Sequence, residues 1–198
     1  MISWYDEAII RIKKLCKDSN PLILEVGAGL GHFTFKIKGY FKEGRVVSID
    51  INPDNLKQVF LKNSLHANTV DWLIADGGST PFRSRVFNIV ASSFSLQYWV
   101  NPLKVFDEIS RLIESVGRFL ITDLRKDMKK ITIKRVAELS ALNNPGVSPE
   151  EVERFLNLRL VNCYTPQQIT RIAKKSRLRS WRVTSREYGF YFESLPAS

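Results

Sequence analysis

The stretch Ile23-Leu24-Glu25-Val26-Gly27-Ala28-Gly29-Leu30-Gly31-His32-Phe33 decides how the rest of the chain is read. An apolar run of strand composition ends beside a carboxylate, and three glycines follow at every second position. A glycine turn between a strand and a helix lets a ligand approach the backbone, and the helix N-terminus offers unpaired N–H groups and a positive field. That much suits any anion. Glu25 narrows the choice: beside a phosphate a carboxylate would be repulsive, but it can pair with an ammonium while the loop amides receive an anionic group of the same ligand.

Outward from this turn, short β-rich apolar runs recur at Leu22–Val26, Arg45–Ile49, Val70–Ile74, Val86–Ala91 and Gly117–Thr122, and helical patterns separate most of them. Alternating β and α predicts a parallel sheet with helices on both faces. Four helix starts are legible as a capping side chain before a proline: Asn52-Pro53, Asn101-Pro102, Ser148-Pro149 and Thr165-Pro166. Ser148 with Glu151, and Thr165 with Gln168, also have capping-box spacing. Leu103, Phe106, Ile109 and Leu112 or Ile113 form one apolar stripe after Asn101-Pro102. Residues 126–160 read as two helices inserted after the fifth strand, and a last helix over Pro166–Ser176 leads to strand-like runs at Leu178–Thr184 and Tyr188–Glu193, joined as an antiparallel edge hairpin.

With 198 residues, 44% hydrophobic and 25% charged, the chain has the composition of one ordinary globular domain, and residues 1–198 are read as such. No apolar run reaches the roughly 18 residues of a membrane span, and the N-terminus alternates charged and apolar residues instead of carrying the unbroken apolar core of a secretory signal. A cytoplasmic protein without membrane partners is the expectation. Cys16 and Cys163 lack the spacing of a zinc site or a disulfide framework, so no metal is expected. The net charge of +10 is uneven: +2 over residues 1–110 and +8 over residues 111–198. Such a bias can steer an acidic partner such as nucleic acid, while solvated helix faces are the plainer account.

Two ligand classes compete for the glycine turn: dinucleotides and S-adenosylmethionine, whose amino-acid end carries both an ammonium and a carboxylate. Counted from Gly27, the dinucleotide fingerprint G-x-G-x-x-G/A requires Gly or Ala at position 32, which is His32. Glu-x-Gly-x-Gly-x-Gly describes the turn better. Asp50 ends the run VVSID, where an acidic side chain can accept both ribose hydroxyls, a need of either class. Asp76 in ADGG could accept an adenine amine, although Asp-Gly is also a turn signal.

Taken together, ILEVGAGLGHF, VVSID, ADGGSTPF, FNIVASSFSLQYW, NPLKVFDEISRLI and GRFLITD resemble the class I S-adenosylmethionine-dependent methyltransferases, in particular the group containing ubiquinone and menaquinone methyltransferases. The resemblance runs from about residue 20 to 124. It implies a Rossmann-like, doubly wound, mostly parallel seven-stranded sheet with an antiparallel C-terminal strand pair and a helical insertion after strand 5. Carried over by position, Glu25 would hold the methionine ammonium, Gly27, Ala28, Gly29, Leu30 and Gly31 the loop, and Asp50 the ribose. Ile51 joins this cofactor-binding set; Asp76 and Gly77 would sit at adenine, and Ser93 near the amino-acid end. The chain departs from the family at Asn88, where Asp is frequent, and at Ser115-Val116-Gly117, where Pro-Gly-Gly is frequent.

The expected activity is methyl transfer to a small molecule by in-line displacement, with RNA or protein as an alternative acceptor and a non-catalytic nucleoside-binding module as a third reading. Positioning can supply roughly 7–11 kcal/mol of such a barrier, and a base for the acceptor proton is the one further group the chemistry could use. His32, Tyr98, Asp123 and Tyr164 are candidates for it, each with a structural account beside it, so no catalytic residue is assigned. Phe94, Tyr98 and Trp99 could wall an apolar acceptor. Residues 125–165 are expected to cover the substrate, with Lys126, Lys129, Lys130, Lys134 and Arg135 read first as a solvated face. Oligomeric state is not legible.

Overall fold

The computed structural model describes residues 4–143 and 146–195. Its elements alternate as expected: α1 (Trp4–Leu15), β1 (Leu22–Val26), α2 (His32–Tyr40), β2 (Arg45–Asp50), α3 (Pro53–Ala67), β3 (Asp71–Ile74), β4 (Phe87–Ser93), α4 (Pro102–Leu112), β5 (Ile113–Leu124), α5 (Lys130–Asn143), α6 (Pro149–Leu160), α7 (Pro166–Lys175), β6 (Trp181–Ser185) and β7 (Gly189–Ser194). A single 3-10 turn, Leu96–Tyr98, follows β4. The sheet order is β3-β2-β1-β4-β5-β7-β6. The pairs among β1 to β5 are parallel, and β7 runs antiparallel between β5 and β6. The seven-stranded, doubly wound sheet and its C-terminal hairpin are therefore as the sequence predicts.

Side-chain alternation along β1 assigns the faces. Leu24 and Val26 join a core built with Val105, Phe106 and Ile109 of α4 and Ile169 and Ala173 of α7. Ile23 faces the other way, into a core with Trp4, Ala8 and Ile12 of α1 and Phe33 and Ile37 of α2. Glu25 shares the parity of Ile23, which turns its carboxylate toward α2. A third cluster, with Met128, Ile133, Leu156 and Leu160, holds the α5–α6 insertion over the carboxyl end of β5 at Leu124.

Asn52, Asn101, Ser148 and Thr165 each accept a backbone N–H of the first helical turn behind a proline, and the last two form full capping boxes. Thr165→Ala should cost about 1 kcal/mol, because Gln168 would lose its acceptor while Ile169 and Ala173 hold α7 in place. A calorimetric melt should fall by roughly 2–4 °C.

Two strand starts differ from expectation by more than one residue. β5 begins at Ile113 instead of Gly117, because Ile113 pairs with Phe87 before the register jumps to Arg118 against Ile89. Gly117 sits inside this bulge, where a Cβ would lie 2.8 Å from the Phe87 carbonyl oxygen. β6 begins at Trp181 instead of Leu178: Ser180 adopts φ 50, which breaks the extended run, and Leu178 is spent on the core. His66 lies in the last turn of α3, edge-on to Phe35.

Candidate active site

The glycine turn is built by the chain passing over the end of β2. The N–H groups of Gly27 and Ala28 both donate to the Ile49 carbonyl, at 2.9 and 3.0 Å. Gly27, Gly29 and Gly31 have φ of +80, +53 and +80, a region that side chains disfavour. Gly31 is the N-cap of α2 and offers no side-chain cap. The first N–H groups of that helix therefore keep their donors for a ligand.

Glu25 is 1% exposed. Its Oε2 accepts from the Thr34 hydroxyl and, at 3.1 Å, from that of Ser48. No hydrogen bond falls on Oε1 among the described residues, although Glu25 lines the large cavity described below. Burial pushes its pKa up to about 7 against the opposing pull of the two hydroxyls, with Asp50 adding to the rise. Here a cation would restore the carboxylate.

Asp50, at the tip of β2, is held by three donors. Oδ2 accepts from Gly29 N at 2.7 Å, and Oδ1 from Asn52 N at 2.8 Å and Asn55 Nδ2 at 3.2 Å. The carboxylate thus braces the glycine loop, while a lone pair on Oδ2 is left for a hydroxyl. Ile51, beside it, is 69% exposed. At the tip of β3, Asp76 is exposed and turns back on its own loop: Oδ1 accepts from Gly78 N at 2.9 Å, and Lys104 Nζ stands 3.7 Å from Oδ2. Gly77 is required by contact, since a Cβ would fall 2.6 Å from Val26 Cγ1.

These residues surround one cavity of about 950 Å³, at the upper end of the usual size for ligand sites. Glu25, Gly27, Ala28, Gly29, Leu30, Asp50, Ile51, Asp76, Gly77 and Ser93 all line it. Gly31 does not; its role is to start α2, where a Cβ would press on Phe35 and Trp72. Ser93 carries a buried hydroxyl with no partner among the described residues. Its neighbour Ser92 bonds to the Val26 carbonyl at 2.8 Å and to Ser95 at 2.7 Å. Donors for a carboxylate, a carboxylate for an ammonium and an acid at a strand tip for a diol are the set that an amino-acid nucleoside requires.

Of the proton-acceptor candidates, His32 and the 66% exposed Tyr98 reach the cavity. Asp123 and Tyr164 do not. Asp123 is buried beneath the 3-10 turn, accepting from Gln97 N at 3.2 Å and Leu124 N at 2.7 Å, and burial raises its pKa to about 6. Tyr164 packs on the core at the foot of α7. Phe94 does wall the cavity, in a backbone conformation of φ 55, stacked on Trp4 at 5.9 Å and edge-on to Tyr5 at 5.8 Å. Trp99 also lines it while standing edge-on to Phe106.

Sequence reasoning missed Tyr5 of α1, Asn55 of α3, Lys104 of α4, and Phe155 and Arg159 of α6, all of which line the cavity. Their helices were legible, but their approach to the strand tips is a tertiary matter. The basic residues noted after β5 lie elsewhere: Lys126 donates to the Val161 carbonyl and Arg135 pairs with Glu187 at 2.9 Å. Among the described residues no group of His, Cys, Asp or Glu is placed to hold a metal ion, and no helix is long and apolar enough to cross a membrane.

Comparison with known proteins agrees with this geometry. Residues 24–121 match the family described as a methyltransferase domain. The malonyl-[acyl-carrier protein] O-methyltransferase of Hahella chejuensis is 29% identical over 103 residues, which is 52% of this chain and 36% of that protein. The ubiquinone/menaquinone biosynthesis C-methyltransferase of Wigglesworthia glossinidia brevipalpis is 27% identical over 118 residues, 57% of this chain and 47% of that protein. The chain thus spans between about a third and a half of these relatives. A solved S-adenosylmethionine-dependent methyltransferase from Aquifex aeolicus superimposes with a TM-score of 0.65 over 94% of this chain and 96% of that one, at 18% identity, and so shares the fold. Motif order, sheet topology and the family match agree: the chain belongs to the class I S-adenosylmethionine-dependent methyltransferases.

Proposed function

We propose that this protein transfers a methyl group from S-adenosylmethionine to a small-molecule acceptor. The observation that carries this reading is the buried Glu25 carboxylate at the mouth of a glycine loop, with Asp50 one strand away. In it, Glu25 pairs with the ammonium, the loop and α2 amides take the carboxylate, Asp50 accepts from the ribose, and Ile51 and Gly77 flank the base. The partnerless Ser93 hydroxyl gains a hydrogen bond at the amino-acid end. When bound, the cofactor supplies a methyl on a sulfonium, which leaves as a neutral thioether. The chain's part is then to orient the acceptor against that methyl and keep water out, which is positioning work. Phe94 and Tyr98 wall that side, and α6 roofs it as a substrate cap. Of the proton-acceptor candidates, His32 and Tyr98 are the two that line the cavity.

A small acceptor is favoured over RNA or protein because α6 brings Phe155 and Arg159 into the cavity wall, and five of the 17 cations of the basic half, Arg111, Arg125, Arg135, Arg182 and Arg186, are engaged in ion pairs. Relatives named for malonyl-carrier and for ubiquinone or menaquinone chemistry differ in acceptor, so they support the class of reaction and not one substrate. The same reading places the protein in a reducing cytoplasm, in keeping with its two free cysteines. Titration with S-adenosylmethionine and with S-adenosylhomocysteine should give saturable heats. At one hundred times Kd the added stability is about 2.7 kcal/mol. No heat and no thermal shift at millimolar cofactor would remove the proposal, and tighter binding of NAD would replace it.

A further inference from the structure

The acceptor side of the cavity carries a cation that forms no ion pair among the described residues, although its charge reaches the buried Asp123 and partly offsets the rise that burial gives that carboxyl's pKa. Arg159, on α6, is half-buried, and its guanidinium carbon stands 5.7 Å from the Phe94 ring centre and 5.6 Å from that of Phe155. Nε donates to Gln97 Oε1 at 3.2 Å and Nη2 to the Phe94 carbonyl at 3.4 Å. Both acceptors are neutral. Gln97 is itself fixed, because its Nε2 donates to the Phe94 carbonyl at 3.3 Å and to Asp123 Oδ1 at 3.4 Å, so its oxygen must face the arginine. The clamp holds the guanidinium in one plane against two aromatic faces. Nη1 has no acceptor among the described residues, and no carboxylate lies within ion-pair distance. The other long cation of the cavity, Lys104, already faces Asp76.

A charge drawn out of water without a counter-ion is costly. A planar, pre-oriented guanidinium is the group best matched to a carboxylate or phosphate. Resting on the methyltransferase reading above, we infer that Arg159 selects the acceptor: the substrate is an apolar, ring-bearing small molecule with one oxyacid group, which docks on Nη1 while its body lies against Phe94, Phe155 and Tyr98. Arg159 is thus a specificity residue, and Gln97 positions it.

The test uses the full chain saturated with S-adenosylhomocysteine and three probes that share a ring: benzoate, phenyl phosphate and the neutral benzamide. One of the two anions should bind at least tenfold more tightly than benzamide, and the tighter one identifies the oxyacid. In Arg159→Met that preference should shrink to within twofold, and Arg159→Lys should keep part of it. Affinity for S-adenosylhomocysteine should change less than threefold in either variant, with melting temperature confirming that both fold. Equal binding of anions and amide by the unaltered protein, or a preference that survives Arg159→Met, would overturn the inference. So would a tenfold loss of S-adenosylhomocysteine affinity in Arg159→Met, which would assign the guanidinium to the cofactor's carboxylate. If the unaltered protein fails to bind S-adenosylhomocysteine, the methyltransferase reading falls first and takes this one with it.

Discussion

Replacing Glu25 by glutamine is expected to weaken cofactor binding by one to two orders of magnitude while making the free protein more stable above neutral pH. The first effect is the loss of a charge-assisted contact with the ammonium, which contributes about 1.5–3 kcal/mol. The second follows from burial. The carboxyl has a pKa near 7 in the folded protein against an ordinary 4.5, so ionising it at pH 8 costs on the order of 3 kcal/mol. For an acid whose pKa is raised by folding, the contribution to stability is full below pH 4.5 and is lost as pH rises through about 7. The difference in unfolding free energy between Glu25→Gln and the unaltered protein should therefore grow over that window and level off above it. The difference profile isolates Glu25 from Asp123, whose pKa is displaced in the same direction. Binding of an ammonium should also expel a proton, close to one half per site at pH 7, which titration in buffers of different ionisation heat would read. Cofactor affinity within threefold of the unaltered protein would take the ammonium away from Glu25.

Gly27→Ala is expected to be the more damaging substitution for the fold. At φ +80 a Cβ would lie 2.4 Å from Ser95 Cβ and 2.5 Å from its Oγ. Ser95 cannot simply turn away, because its hydroxyl is tied to Ser92 at 2.7 Å and to the Val26 carbonyl at 3.1 Å. Backbone strain of about 1–3 kcal/mol adds to an overpacking cost of about 1–3 kcal/mol. A drop in melting temperature of roughly 5–20 °C follows for a chain of this length, together with loss of cofactor binding. Gly29→Ala is the control, since its φ is +53 but nothing lies within 4 Å of the added carbon. It should show the strain alone. Equal losses at both positions would mean that the contact with Ser95 is relieved at little cost, and Gly27→Ala combined with Ser95→Gly should otherwise recover part of the difference.

What could be read from the sequence follows the range of the forces involved. The caps at Asn52, Asn101, Ser148 and Thr165 act over two or three residues, and the structure contains all four. Glu25 and Asp50 were legible because each lies within one residue of a strand end, beside the glycine turn. Asp76 was half legible: its Asp-Gly signal is a real turn, and the same oxygen that could meet a base already accepts from Gly78. The bulge at Gly117 left only a glycine as its mark, and the late start of the sixth strand depends on Ser180 in a conformation that serine seldom adopts. Arg159 was hidden for another reason. Helical spacing says which side of α6 is apolar, but not that the side chain at its edge hangs over Phe94, which is 65 residues away.

The two ends of the described chain are fastened together. Trp4 stacks on Tyr191 with centroids 4.6 Å apart, Arg11 reaches the buried Glu193 at 2.8 Å across 182 residues, and Arg186 pairs with Glu7 at 2.9 Å. Tyr5, on that same first helix, forms part of the cavity wall. α1 also packs on α2 and β5, and β7 adds the aromatic stack and the Arg11–Glu193 ion pair that fasten it. Contacts of such long sequence separation are slow to close, so the final fastening of this wall of the site is expected late in folding.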